Sequence, residues 1–164
     1  MTFPILSQRL AGLGLAAVLG LCATGALAFS TPPSGSLPLS QVLATLEDGG
    51  KRTVVSADFH WRSWEVLSCE GRSRICREDY IDPATGAITR SETEAVLILP
   101  PSGALPASEI AKRVEDSGIG VIGDLEFDDR LWEVEVRGDR GRAELKIDPV
   151  SGETLRCEGR GCRS

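Results

Sequence analysis

Four cysteines in two close pairs, a single histidine, a run of acids and two clusters of arginines are the residues of this chain whose types and spacing could do chemistry. The pairs are Cys69-x6-Cys76 and Cys157-x4-Cys162. Paired thiols can close disulfides, hold a metal as thiolates or supply a nucleophile. Three disulfide pairings are formally possible. Local pairing is favoured, because Cys69 and Cys76 flank an expected hairpin turn and Cys157 and Cys162 lie on a short tail that can close on itself. A four-thiolate zinc site would need both pairs brought together, and the spacing is looser than a C-x2-C knuckle. A catalytic thiol would need a free cysteine beside His60, the one histidine.

The acids Asp124, Glu126, Asp128, Asp129, Glu133 and Glu135 could in principle supply an acid/base pair. Strand alternation instead sends several of them to a solvated face. Phosphate-cradling glycine loops, metal-ligand constellations and nucleophile–base pairs are all missing from the sequence, so no catalytic residue, metal or cofactor is expected. The arginines at 72, 74 and 77, and at 156, 160 and 163, flank the cysteines in expected loops and read first as a solvated basic rim.

The cysteines are read as disulfides because the N-terminus looks like an export signal. Arg9, the apolar run Leu10 to Leu21 and the small-residue ending Ala26-Leu27-Ala28 have the layout of a secretory leader cleaved after Ala28. An uncleaved membrane anchor is the competing reading, since Leu10 to Ala28 is just long enough to span a bilayer. Lipid attachment at Cys22 would require a small residue where Leu21 stands. The expected location is therefore the periplasm or the medium, with no stable membrane insertion after cleavage. Loss of the leader removes one arginine and no acid, taking the formal charge from −6 to −7. Nucleic acid is not an expected partner of so acidic a chain.

The elements that must position these residues come from a repeat. Residues 32–40, PPSGSLPLS, return 68 positions later as PPSGALPAS at 100–108. The offset holds through Trp64-Glu65-Val66 and Trp132-Glu133-Val134, then shortens by two at Ile81-Asp82-Pro83 and Ile147-Asp148-Pro149. A tandem repeat of one small unit follows. Ser40 and Ser108 stand where helix N-caps are expected, and Val42, Leu43 and Leu46, like Ile110, Ala111 and Val114, form an apolar helical stripe. Strands are expected over Thr53 to Phe59, around Trp64, over Ile75 to Ile81 and over Ala87 to Arg90, with their counterparts in the second copy. The Asp-Pro-x-Thr/Ser-Gly sequences are turn chemistry.

The predicted fold class is α+β: two tandem copies of a short helix packed on a small antiparallel sheet. Their boundaries are 32–90 and 102–156, with a signal peptide at 1–28, a linker at 91–101 and a disulfide tail at 157–164. The apolar pentad Ala95 to Leu99 reads as an edge strand or as packing between the units.

Together, Glu109-Ile110-Ala111-Lys112-Arg113-Val114, Leu125-Glu126-Phe127, Trp132-Glu133-Val134-Glu135-Val136 and Lys146-Ile147-Asp148-Pro149-Val150-Ser151-Gly152-Glu153 resemble the PepSY domain, especially its short variant in small exported bacterial proteins. The similarity covers most of each copy; the cysteine hairpin and the cysteine tail depart from it. It implies a helix on an antiparallel sheet and a non-enzymatic role outside the cytoplasm. The family also occurs in propeptides of secreted peptidases, so the resemblance implies a peptidase, or another envelope protein, as partner.

Residues present in one copy alone are candidates for contact. His60 and Trp61 stand where the second copy has Asp128 and Asp129, and Arg72 and Arg74 lie on the cysteine hairpin. These four are the candidate partner-binding residues. A structural or ligand-sensing part of the envelope is the alternative reading, and an enzyme the third.

Overall fold

Leu39, Val42, Leu43 and Leu46 recur at helical spacing, and all four are buried along one side of α1 (Leu39–Glu47). Ala107, Ile110, Ala111 and Val114 do the same for α2 (Ala107–Ser117), which ends at Gly118 in the left-handed conformation, φ 66°. Each helix precedes four strands: β1 (Arg52–His60), β2 (Ser63–Glu70), β3 (Ile75–Ile81) and β4 (Ile88–Ala95), then β5 (Val121–Asp128), β6 (Leu131–Gly138), β7 (Gly141–Ile147) and β8 (Thr154–Gly159). The structure is a computed structural model that describes residues 30–47, 51–96 and 98–162. The expected signal peptide at 1–28 and the helix end expected at Gly50 lie outside the described residues.

The strands form one antiparallel sheet of eight, in the order β4-β3-β2-β1-β5-β6-β7-β8. The expectation of two small separate sheets is corrected here: β1 and β5 pair antiparallel through Ser56↔Glu126, Ala57↔Leu125 and Asp58↔Asp124. An unpaired inner edge would expose a row of backbone donors and acceptors, and joining the two edges removes both rows. Ala57 and Leu125 are equivalents at the 68-residue offset, so the junction has a local two-fold character. Both helices lie on one face of the sheet and share a single apolar core that reaches from Leu39 to Ile147.

Ser40 and Ser108 do not cap their own helices. They sit one residue inside the first turn; Pro106 occupies the cap position of α2 and makes no side-chain cap bond. The caps come from the opposite helix. Glu115, in the last turns of α2, accepts from Ser40 N (3.2 Å) and Ser40 Oγ (2.5 Å). Glu47, the last residue of α1, accepts from Ala107 N (2.8 Å), from Ser108 N (3.3 Å) and from Ser108 Oγ. A carboxylate at a helix N-terminus satisfies orphan amides and meets the positive end of the helix dipole. Burial holds the Glu47 carboxyl above its ordinary range, while its hydrogen bonds to Ser108 and Ala107 oppose that shift. Glu47→Ala strands three donors in a buried place and should cost about 2–3 kcal/mol in a urea melt. Glu115→Ala should cost about 1–2 kcal/mol, because its site is more open to water. A neutral result at Glu47 would show that the crossed caps do not hold the helices.

A small second cluster covers the opposite face near the β2–β3 hairpin. Val55, Cys69, Cys76 and Val96 are buried there, with Leu67 and Leu99 packed against them. Ala95, the first residue of the pentad read as an edge strand or as packing between the units, is the last residue of β4, and Val96 and Leu99 cover the Cys69–Cys76 bridge; Val96 N donates to Arg74 O (3.0 Å).

Candidate functional site

Two-residue turns join β1 to β2 and β5 to β6, and both need two consecutive positive φ angles: 47° and 85° at Trp61 and Arg62, 46° and 70° at Asp129 and Arg130. This is the hairpin turn whose twist matches the strands. Asp tolerates the left-handed region because its short side chain can bond locally, and a bulky aromatic does not. Trp61 is nevertheless 84% exposed, touching the His60 ring edge-on at 5.7 Å between centroids. Its side chain returns nothing to the core for the strained backbone it occupies.

His60 is also exposed, with Nδ1 3.7 Å from Glu65 Oε1. Arg72 and Arg74 lie at the other end of β2, on the β2–β3 hairpin, roughly 24 Å away at strand rise. The four candidate residues therefore form two places. At the hairpin, Arg72 Nη1 donates to Pro100 O (2.6 Å), which ties the hairpin to the segment leading into α2. Cys69 and Cys76 form one disulfide and Cys157 and Cys162 the other, with Cα separations of 4.1 and 5.6 Å. The first is buried beneath Val96 and braces this hairpin.

The crossed caps leave a cavity beside each helix N-terminus. The larger, 590 Å³, lies between the loop Pro100–Ser108, the end of α1 with Glu47, the start of β1 with Arg52, and Trp132. Its counterpart, 510 Å³, lies between the loop Pro32–Leu39, Glu115, Val121 and Trp64. Each pocket thus takes its loop and tryptophan from one half of the chain and its capping glutamate from the other. Reading the sequence missed these pockets and the crossed glutamates, although Glu47 and Glu115 stand 68 residues apart in the repeat. Arg52 was missed too; its signal is that Gly120 stands at the matching position.

On the open face of the sheet, Asp58, Glu65, Asp124 and Glu126 come together across β2, β1 and β5. All four carboxyls are raised above their ordinary range, Asp124 to about 7. Desolvation on the crowded sheet is the first cause in each, and neighbouring carboxylates add to it at Glu65, Asp124 and Glu126. Farther out the acids find partners: Glu133 pairs with Lys146 and Glu135 with Arg142. Among the described residues, no group of three or more His, Cys, Asp or Glu is placed to hold a metal ion.

Residues 107–158, from the first residue of α2 to within one residue of the end of β8, match the family model of PepSY, the peptidase propeptide and YPEB domain. The second half contains a PepSY domain. PepSY domains are in general non-catalytic propeptide or regulatory domains. Among solved structures, the chain is similar to a candidate lipoprotein from Clostridium difficile 630, at 14% identity over 77% of this chain and 95% of that one, with a TM-score of 0.45. No curated protein matches the chain. Among the described residues, no helix is long and apolar enough to cross a membrane.

Proposed function

We propose that this protein is an exported, non-enzymatic binding module that regulates or inhibits a secreted or periplasmic peptidase. In this reading the leader is cleaved after Ala28, and the two halves are tandem copies of one PepSY-like unit. The half without the family match carries the Trp61 contact turn. The PepSY domain at 107–158 supports a propeptide-like role, and two disulfides fit an oxidising compartment.

The observation that carries the reading is Trp61. The turn demands a left-handed residue, the second half meets the demand with Asp129, and the first half uses an exposed tryptophan that gains only an edge contact with His60. Strain without an intramolecular return marks a residue held for something outside the fold. Tryptophan is also the side chain most enriched where binding energy concentrates.

Trp61→Asn separates fold from function. The variant should be more stable by about 1 kcal/mol, because Asn accepts a positive φ at lower cost. It should capture and inhibit the partner peptidase in envelope extracts at least about tenfold less well, as expected for loss of a central aromatic anchor. Unchanged inhibition by a more stable Trp61→Asn protein would remove Trp61 from the contact surface. Absence of any effect of the wild-type chain on envelope proteolysis would remove the peptidase.

A further inference from the structure

We propose that the 590 Å³ cavity beneath the Pro100–Ser108 loop is a binding site for a carboxylate carried on an apolar group. The site does not depend on the peptidase reading and would exist in a protein with any partner.

The cationic side of the cavity is held by an arginine whose own partner is already saturated. Arg52 Nη1 donates to Asp79 Oδ2 (3.0 Å), but the fully buried Asp79 also accepts from Arg77 Nη2 (2.9 Å) and Ser91 Oγ (2.5 Å). One carboxylate thus faces two guanidiniums. Arg52 Nη2 is buried with no hydrogen-bond partner, so the guanidinium is incompletely satisfied. Arg72 adds a second cation, spending one donor on Pro100 O. The disulfide beneath it limits the ordering needed on binding. Glu47 brings negative charge to the same cavity, but its carboxylate is committed to three donors at the start of α2.

The rest of the lining includes apolar residues, Ala44, Pro101, Ala104 and Trp132, and the buried Trp132 indole N–H, which has no acceptor, reports on this cavity. Two arginines sharing one carboxylate and one backbone carbonyl, beside apolar lining, fit a ligand with acceptor oxygens at one end and a hydrocarbon or aromatic body at the other. Either a peptide chain ending in a free carboxylate or a small organic acid has that chemistry.

The twin cavity beneath the Pro32–Leu39 loop provides a control within the same molecule. It keeps the same type of loop, a tryptophan with an unpartnered N–H and a capping glutamate, but Gly120 replaces Arg52, and Asp116 joins Glu115 on the wall. It should reject the ligand that its twin takes.

The test uses the mature protein labelled with nitrogen-15, its indole N–H resonances acting as reporters. The probes are 3-phenylpropionate, acetyl-Ala-Ala-Phe with a free C-terminus, and the same peptide amidated. A free-acid probe should shift the Trp132 indole signal saturably and leave that of Trp64 in place. The amide should bind at least about tenfold more weakly, as should the free acid to Arg72→Gln. Arg52→Gln should abolish binding, but it also strips a partner from buried Asp79, so Arg72→Gln is the deciding variant. Tighter binding of the peptide acid than of phenylpropionate assigns the site to chain termini, and equal or tighter phenylpropionate binding assigns it to small acids. No response at Trp132 up to about 10 mM, equal binding of acid and amide, or an equal response at Trp64 would each overturn the proposal.

Discussion

Replacing Trp64 or Trp132 by alanine is expected to remove about 3–5 kcal/mol of folding stability, the range for deleting a large buried aromatic. The two are 0% and 1% exposed, and each meets the preceding phenylalanine edge to face: Phe59–Trp64 at 5.3 Å and 71°, Phe127–Trp132 at 5.4 Å and 69°. Such pairs add to the area they bury. Because one core joins both helices to the sheet, neither loss can be confined to one half, and each variant should unfold in a single transition. Phenylalanine at either position should cost only about 1–2 kcal/mol, since the indole N–H it removes makes no hydrogen bond. Trp61→Ala should stay within about 1 kcal/mol of wild type, as expected at an exposed turn. Urea melts of the single variants check all of this. Equal losses at all three tryptophans, or two separated transitions in the core variants, would refute the shared core.

Asp124→Asn should stabilise the protein at pH 8 and do nothing at pH 4. Asp124 faces Asp58 across the β1–β5 junction, with Glu126 two residues along, and its carboxyl is raised to about 7 by desolvation first, then by Asp58 and Glu126. Backbone Leu125 N–H and Arg142 pull the other way. A folded-state value above the unfolded one means that, between the two, the native chain holds a proton the unfolded chain has released. Stability from this group is complete below about pH 4 and falls as the pH rises through 7. Because water reaches part of the carboxylate, the loss by pH 8 is about 2 kcal/mol, less than the full shift would imply. Asparagine keeps the shape without the charge and should recover that amount, measured as the change in stability in urea between pH 4 and pH 8 in the variant against wild type. Asp58→Asn should lower the titration midpoint of Asp124 by removing its nearest like charge. A wild-type stability that is flat from pH 5 to 8 would contradict the repulsion at the junction.

Local chemistry was legible in the sequence. The alternation of Trp132, Val134 and Val136 with Glu133 and Glu135 reads directly as a strand with one buried face, because the side-chain period of a strand is two. The Asp-Pro-x-Thr/Ser-Gly turns form as expected: Asp82 Oδ1 accepts from Ala84 N, Thr85 N and Thr85 Oγ1, and Gly86 takes φ 72°. Asp148 does the same for Val150 and Ser151, and Gly152 takes φ 71°. Both bonds between near neighbours, Cys69–Cys76 and Cys157–Cys162, were also within reach, because a short loop limits the choice of partner.

What the sequence could not decide is how two similar stretches meet. Each would bury its helix on its own sheet, so local propensity is indifferent between separate sheets and one fused sheet. The choice falls to the β1–β5 edge, where backbone donors and acceptors, identical in every sequence, find each other across 68 residues. For the same reason Ser40 and Ser108 appeared to be caps. A serine before an apolar stripe offers its hydroxyl to the nearest amides, and only the packed helices bring Glu115 and Glu47 close enough to take those amides instead. The cavities follow from that packing, since each joins a loop and tryptophan of one half to the capping glutamate of the other. Periodicity and turn chemistry act over a few residues and are written in the chain; charge neighbours and cavity walls act through space and exist only once the two halves have closed on each other.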